Sequence, residues 1–323
     1  MEIIVKIFKI IFINILIILL IFGCLEYISY LFVKKDNESY MKPLNEYYKE
    51  IGAPLLKISY APVRIFNQSD YESRYRPDYT GHKNFSILFF GCSYTYGSGV
   101  IENEKTLPYI TGKSAGVTAV NRGSSGASIL NMLYDLTHPE LYERIKNHPA
   151  PKYIIFTFIS DHFNRISNPY RAAVMRKPKS FYYVYPDYIT DNGEFKIKNP
   201  SKFRLFLYSF YTAKAWHYLY AQRFAHKTAD DRMFELFLEA KKITDEKFPD
   251  SKFIIMLYKD GGRKNMPRAL QKKLKKKGFI ILDSEKLAGH ELESENWRAL
   301  DKEHPNEAAY RDIAKGLIKE LKL

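Results

Sequence analysis

The chain has 323 residues, enough for one large domain and an additional segment. Lys and Arg outnumber Asp and Glu by 50 to 36, a formal charge of +14, but no helix-turn-helix, zinc-finger or aromatic RNA-binding pattern accompanies the excess. That argues against nucleic acid as a partner. Cys24 lies in an apolar segment and Cys92 beside a hydroxyl-bearing loop, and no Cys/His cluster has metal-ligand spacing, so neither a disulfide, a metal nor another cofactor is implied.

Residues 10–23 are almost wholly apolar and follow Lys6 and Lys9. From Ile3 to Val33 the stretch is long enough to span a bilayer. Basic residues on the leading side favour that side being cytoplasmic, with Lys34 and Lys35 pulling the other way. The expectation is one transmembrane signal anchor over residues 1–35, in the cell inner membrane, with the chain after about Asp36 outside the cytoplasm (periplasmic or extracellular). Two alternatives stand beside it. Ile21-Phe-Gly-Cys24 resembles a lipobox, which would make Cys24 a lipid-bearing residue, and a cleaved signal peptide would lack its usual Ala-x-Ala site. A basic surface held at a membrane would meet anionic headgroups or acidic glycans.

Residues 36–84 are polar, rich in Tyr and Pro and without periodicity, and read as a linker and irregular lead-in. Phe85 to Phe90 is then a short apolar run that breaks at Gly91, the pattern of a buried parallel strand. Ser93 falls just beyond it, where chemistry collects in open α/β sheets. Residues 105–114 predict a short helix, Val117–Val120 a second strand, and Asn121 to Gly126 a strand-to-loop transition. Ile129, Met132, Leu133 and Leu136 form the stripe of an amphipathic helix. Tyr153–Phe158 reads as a third strand, with Ser160-Asp-His-Phe-Asn164 at its carboxyl end.

Residues 166–226 interrupt the alternation. They are dense in Tyr and Phe, carry four prolines and a turn at Asp191-Asn-Gly193, and predict an insertion over the sheet's carboxyl edge. Such a cap would stack on sugars, embrace an acyl chain, or pack only on itself. Thr228-x-x-Asp231 has the form of a capping box opening a helix through about Lys247. Phe253–Tyr258 and Phe279–Leu282 predict two more strands around a helix at 266–277, whose lysine run at 272–277 reads as a solvated face. A closing helix follows Asn306. Strand and helix alternate throughout, which predicts a three-layer α/β/α domain over residues 85–323 with a parallel, five-stranded sheet.

Leu300-Asp-Lys-Glu-His-Pro-Asn306 supplies the other half of the chemistry. Asp301 and His304 are spaced so that the carboxylate can accept from one imidazole nitrogen while the other faces outward as a base. A nucleophilic serine needs those two roles.

Taken together, these blocks resemble the SGNH, or GDSL-like, hydrolase superfamily. Gly91-Cys92-Ser93 is similar to its Gly-Asp-Ser block, Asn121-Arg122-Gly123 to Asn-x-Gly, and Asp301 to Asn306 to Asp-x-x-His-Pro-Asn. The resemblance covers about residues 84–323 apart from the insertion. It implies a flavodoxin-like sheet, Ser93 as nucleophile, His304 as general base and acid, and Asp301 as its orienter. It further implies an oxyanion hole built on the N–H groups of Ser93 and Gly123. The sequence departs from the family in two places: Cys92 replaces the usual Asp, and Phe158-Ile-Ser-Asp161 stands for Gly-x-Asn-Asp, which puts Ser160 where an oxyanion Asn is expected. His162 and Asn164 are further donor candidates; Asp161 and His162 are equally candidates for a structural role, hydrogen-bonding the loops around the site, and Asn121 is a candidate support. The implied activity is a serine esterase that removes or transfers a small acyl group on a small-molecule or glycan ester, with carbohydrate of the cell envelope as the expected acceptor. A lipase or lysophospholipase, and a non-catalytic glycan-binding or assembly protein on the same fold, are the alternatives.

Overall fold

A computed structural model describes residues 9–31, 76–100, 102–124, 127–137, 139–167, 187–191, 194–198, 226–259, 265–299 and 303–323. Helix α1, Lys9–Leu31, is long and apolar enough to cross a membrane, and its large apolar side chains from Ile10 to Leu31 are exposed.

The domain is built on strands β1 (Ser86–Gly91), β2 (Thr118–Gly123), β3 (Pro151–Phe158), β6 (Lys252–Leu257) and β7 (Ile280–Asp283). They form one sheet in the order β2-β1-β3-β6-β7, every neighbouring pair parallel. This is the flavodoxin-like order, reversing direction between β1 and β3. Parallel neighbours cannot be joined by a tight turn, so helices cross between them and cover both faces. The crossovers are α2 (Ser93–Tyr96) and α3 (Leu107–Ala115), α4 (Ile129–Thr137) and α5 (Pro139–Lys146), α6 (Asp161–Ser167) and α7 (His226–Lys247), and α8 (Arg268–Lys276). Helices α9 (Ser284–Ala288) and α10 (Glu307–Leu321) close the chain.

Alternation along the strands divides the core into two layers. Leu88, Phe90, Ile154, Phe156 and Phe158 pack with Leu133 and Leu136 of α4 and Met233 and Phe237 of α7. Ile87, Phe89, Ile155, Ile254 and Met256 pack on the other side with Leu107 of α3 and with Tyr310, Ile313 and Leu317 of α10. Asn306 starts α10 by accepting from the Ala309 N–H at 3.0 Å.

The structure corrects two local expectations. Asn121 to Gly123 prolong the strand expected to end at Val120, because β2 keeps pairing with β1 through Phe89↔Asn121, Phe90↔Arg122 and Gly91↔Gly123. Asp78 supports this polar extension: its carboxylate accepts from the Asn121 N–H at 2.8 Å and pairs with Arg122 at 3.3 Å. Thr228 lies inside α7, which already begins by His226, so it opens nothing; Asp231 instead holds Lys273 of α8 at 3.1 Å. Within the 166–226 stretch, β4 (Asp187–Asp191) and β5 (Glu194–Lys198) pair antiparallel on either side of the expected turn. Most of the stretch expected to form an aromatic cap lies outside the described residues.

Residues 76–83 belong to the sheet's edge. Tyr79 forms a two-way backbone bridge with Ala119 at 3.0 and 2.9 Å, and the His82 and Lys83 N–H groups both donate to the Gly116 carbonyl at 3.1 Å.

Candidate active site

β1 ends at Gly91, whose φ of +146° only glycine adopts without strain. The chain can therefore turn sharply into α2, with Ser93 as its first residue. Cys92 points into the core and is fully buried, while Ser93 keeps 9% of its surface. The turn is held from inside: Thr95 Oγ1 donates to the Phe90 carbonyl at 3.2 Å, and the Gly97 and Ser98 N–H groups donate to the Ser93 carbonyl at 2.9 and 3.0 Å.

The following loop is gripped by Arg76. Its guanidinium donates to the carbonyls of Gly97 at 3.0 Å and Val100 at 2.6 Å and to Asn103 Oδ1 at 3.1 Å, and lies 4.7 Å over the Tyr96 ring. Nothing in the lead-in's composition marked Arg76, because its partners are mainly backbone carbonyls, which carry no residue signature.

His304 comes from the loop before α10. Its Nε2 lies 2.7 Å from Ser93 Oγ, across 211 residues of chain. An imidazole at that distance can take the serine proton. Asp301 lies outside the described residues.

The expected oxyanion donors are distributed as follows. Ser93 N–H is in the first turn of α2, where helix donors have no intrahelical acceptor. The Gly123 N–H donates to Asn121 Oδ1 at 3.0 Å. Gly123 abuts α2 so closely that a Cβ there would stand 2.3 Å from Tyr96 N. Ser160 follows β3, half-buried, and its carbonyl accepts from the Phe163 N–H at 3.1 Å. Asp161 pairs with Arg165 at 3.0 Å, and Arg165 also donates to the Ala127 carbonyl at 2.6 Å, tying α6 to the start of α4. The Asn164 side chain lies outside the described set.

His162 is placed differently from the sequence expectation. It is fully buried against Phe156 and Phe158, ring centroids 5.3 and 5.5 Å away, and those two strand residues face the layer opposite Cys92 and Tyr94. Neither ring nitrogen has a hydrogen-bond partner among the described residues. Burial, with some help from Arg165 and some opposition from Asp161, holds its pKa well below the ordinary 6.5. The unfolded chain therefore takes up a proton that the native state refuses. The stability contributed by neutral His162 is complete above the unfolded pKa and is lost as pH falls below it, by up to about 1.4 kcal/mol per pH unit. His162→Phe should flatten the dependence of urea-denaturation stability on pH between 7 and 5; an unchanged slope would refute the account.

No protein-family model matches the chain, and no curated protein matches it. Solved structures do. A member of the lipolytic G-D-S-L family from Veillonella parvula DSM 2008 is similar at 13% identity and TM-score 0.42, over 74% of this chain and 98% of the other. The salicylyl-acyltransferase SsfX3 from a tetracycline biosynthetic pathway is similar at 10% identity and TM-score 0.40, over 75% of this chain and 55% of that one. The acetyl xylan esterase Est2A from the rumen bacterium Butyrivibrio proteoclasticus is similar at 9% identity and TM-score 0.40, over 74% and 63%. At these identities the likeness is one of fold.

Proposed function

We propose that the chain is a serine esterase of the SGNH type that removes or transfers a small O-acyl group through an acyl-enzyme. The observation that carries this is the 2.7 Å contact between Ser93 Oγ and His304 Nε2 at the carboxyl end of β1. A non-catalytic role would be favoured by these two groups lying beyond hydrogen-bond reach, and they are within it.

His304 takes the Ser93 proton as Oγ attacks the ester carbonyl. The tetrahedral oxyanion is met by the N–H groups of Ser93 and Gly123, assigned to it here, with the Ser160 hydroxyl as the third donor. Each such donor is worth about 10²–10³ in rate. The Gly123 N–H reaches the oxyanion once Asn121 Oδ1 releases it. His304 then gives the proton to the leaving alcohol. A second hydroxyl, from water or from a sugar, attacks the acyl-enzyme as His304 takes its proton, and Ser93 is regenerated. Asp301 is assigned to the other imidazole nitrogen, fixing the tautomer.

The substrate is assigned to carbohydrate of the cell envelope. Supports for this are the exposed apolar helix α1, read as an anchor that holds residues 36–323 outside the cytoplasm, the net charge of +14, and the Tyr- and Phe-rich 166–226 stretch suited to stacking on sugars. The test is to treat the full-length protein, in detergent, with a fluorophosphonate probe and map the adduct by peptide mass spectrometry. One adduct, on Ser93, is expected, with acetyl esters turned over in preference to long-chain esters. No adduct on folded protein would end the esterase reading.

A further inference from the structure

His304 is carried on a loop that must be set relative to a separate element, α2, and the contacts that do this converge on a single carbonyl. Tyr94, the residue after the nucleophile, is buried, and its hydroxyl donates to the Glu303 carbonyl at 3.0 Å. Arg298, itself 9% exposed, donates through its guanidinium to the same carbonyl and to Tyr94 Oη at 3.4 Å. On the far side of the His304 peptide, the Ala299 N–H donates to the His304 carbonyl at 2.7 Å, and Arg298 bridges Pro305 backbone to backbone.

Tyr94 is in turn fixed at both ends. Tyr310 of α10 donates to its carbonyl at 2.9 Å, and its ring lies edge-on to Tyr258 at 4.9 Å and tilted against the His304 imidazole at 5.2 Å. Ser93 and Tyr94 are consecutive residues of one four-residue helix. The unit that carries the nucleophile therefore also carries a donor to the peptide that precedes the base.

Resting on the esterase reading, we propose that Arg298 and Tyr94 are positioning residues: by holding the Glu303 carbonyl they set the distance between Ser93 Oγ and His304 Nε2. Neither touches the reacting ester. They act by making the proton acceptor's place a property of the nucleophile's own helix, and a misplacement of about 1 Å at such a contact costs about 10² in rate.

The test is the rate and final extent of fluorophosphonate labelling in full-length Arg298→Met, Arg298→Lys and Tyr94→Phe. In Arg298→Met the labelling rate should fall about 10²-fold, while the final extent stays at one probe per chain. Loss of one of two donors in Tyr94→Phe should slow labelling about tenfold. Arg298→Lys retains a donor for the carbonyl and should recover most of the rate. A purely structural role would instead lower the final extent, since fewer chains would be competent, and would leave the rate of the remainder unchanged. That result, or wild-type rates in both Arg298→Met and Tyr94→Phe, overturns the proposal. If Arg298→Met does not fold, the rate in Tyr94→Phe decides it alone. Wild-type protein that does not label would remove the esterase reading itself; wild type that labels beside unaffected variants removes only the positioning role.

Discussion

Ser93→Ala and His304→Ala should each lower ester turnover by about 10⁶, and the double variant should be no slower than either alone. The 2.7 Å contact makes the two side chains one device: the serine hydroxyl is a poor nucleophile unless its proton has somewhere to go, and the imidazole has nothing to activate without the serine. Removing either removes the covalent route entirely. The remaining rate would come from substrate binding and the oxyanion donors, roughly 10³–10⁴ over water in triad enzymes. With Asp301 in the orienting role proposed for it, Asp301→Asn should cost less, about 10⁴, because the imidazole would then be misdirected rather than missing. Steady-state kinetics on an activated acetyl ester measure all four. Multiplicative losses in the double variant would show two residues acting independently and contradict the shared role.

Gly123→Ala is the second change with a large expected effect. The added methyl would stand 2.3 Å from Tyr96 N, 2.6 Å from the Thr95 carbonyl carbon and 2.7 Å from Thr95 Cβ. The first two are backbone atoms, so no rotamer change relieves the overlap. Either β2 gives way, breaking its register with β1, or α2 lifts from it. Overpacking of this kind costs about 3 kcal/mol or more. Lifting α2 also moves Ser93 relative to His304, so labelling of the folded fraction should slow by about 10². Thermal denaturation and labelling kinetics on the same preparation separate the two effects. A variant with wild-type stability and rate would mean that α2 and β2 are not in this close contact.

The strands that build the sheet were legible because each is a short apolar run ended by glycine or a polar residue. The Ser93–His304 contact was legible because both residues sit in blocks whose residue types suggest a nucleophile and its base. What escaped notice shares a different physics. Arg76, Tyr94 and Arg298 act on main-chain carbonyls, and any residue type can supply a carbonyl, so no pattern marks the acceptor. Asn121-Arg-Gly123 read as the exit from a strand because its polarity conceals a buried continuation of β2, in which the Arg122 charge is matched by Asp78, more than 40 residues earlier. His162 misled in the opposite direction. A histidine close to a strand's carboxyl end suggests chemistry, but the rotation of α6 turns it toward Phe156 and Phe158. The Thr228-x-x-Asp231 pattern failed because capping requires a free helix start, which spacing alone does not report.

The grip of residues 76–83 on the sheet decides where this protein can be cut. A fragment beginning at Phe85 would keep every strand of the five-stranded sheet and every residue of the recognisable blocks. It would nevertheless lose the donors that Arg76 gives to Gly97, Val100 and Asn103, the carboxylate that Asp78 gives to Asn121, Arg122 and His148, and the Tyr79 bridge to β2. The shortest version that preserves the serine loop therefore starts at or before Arg76.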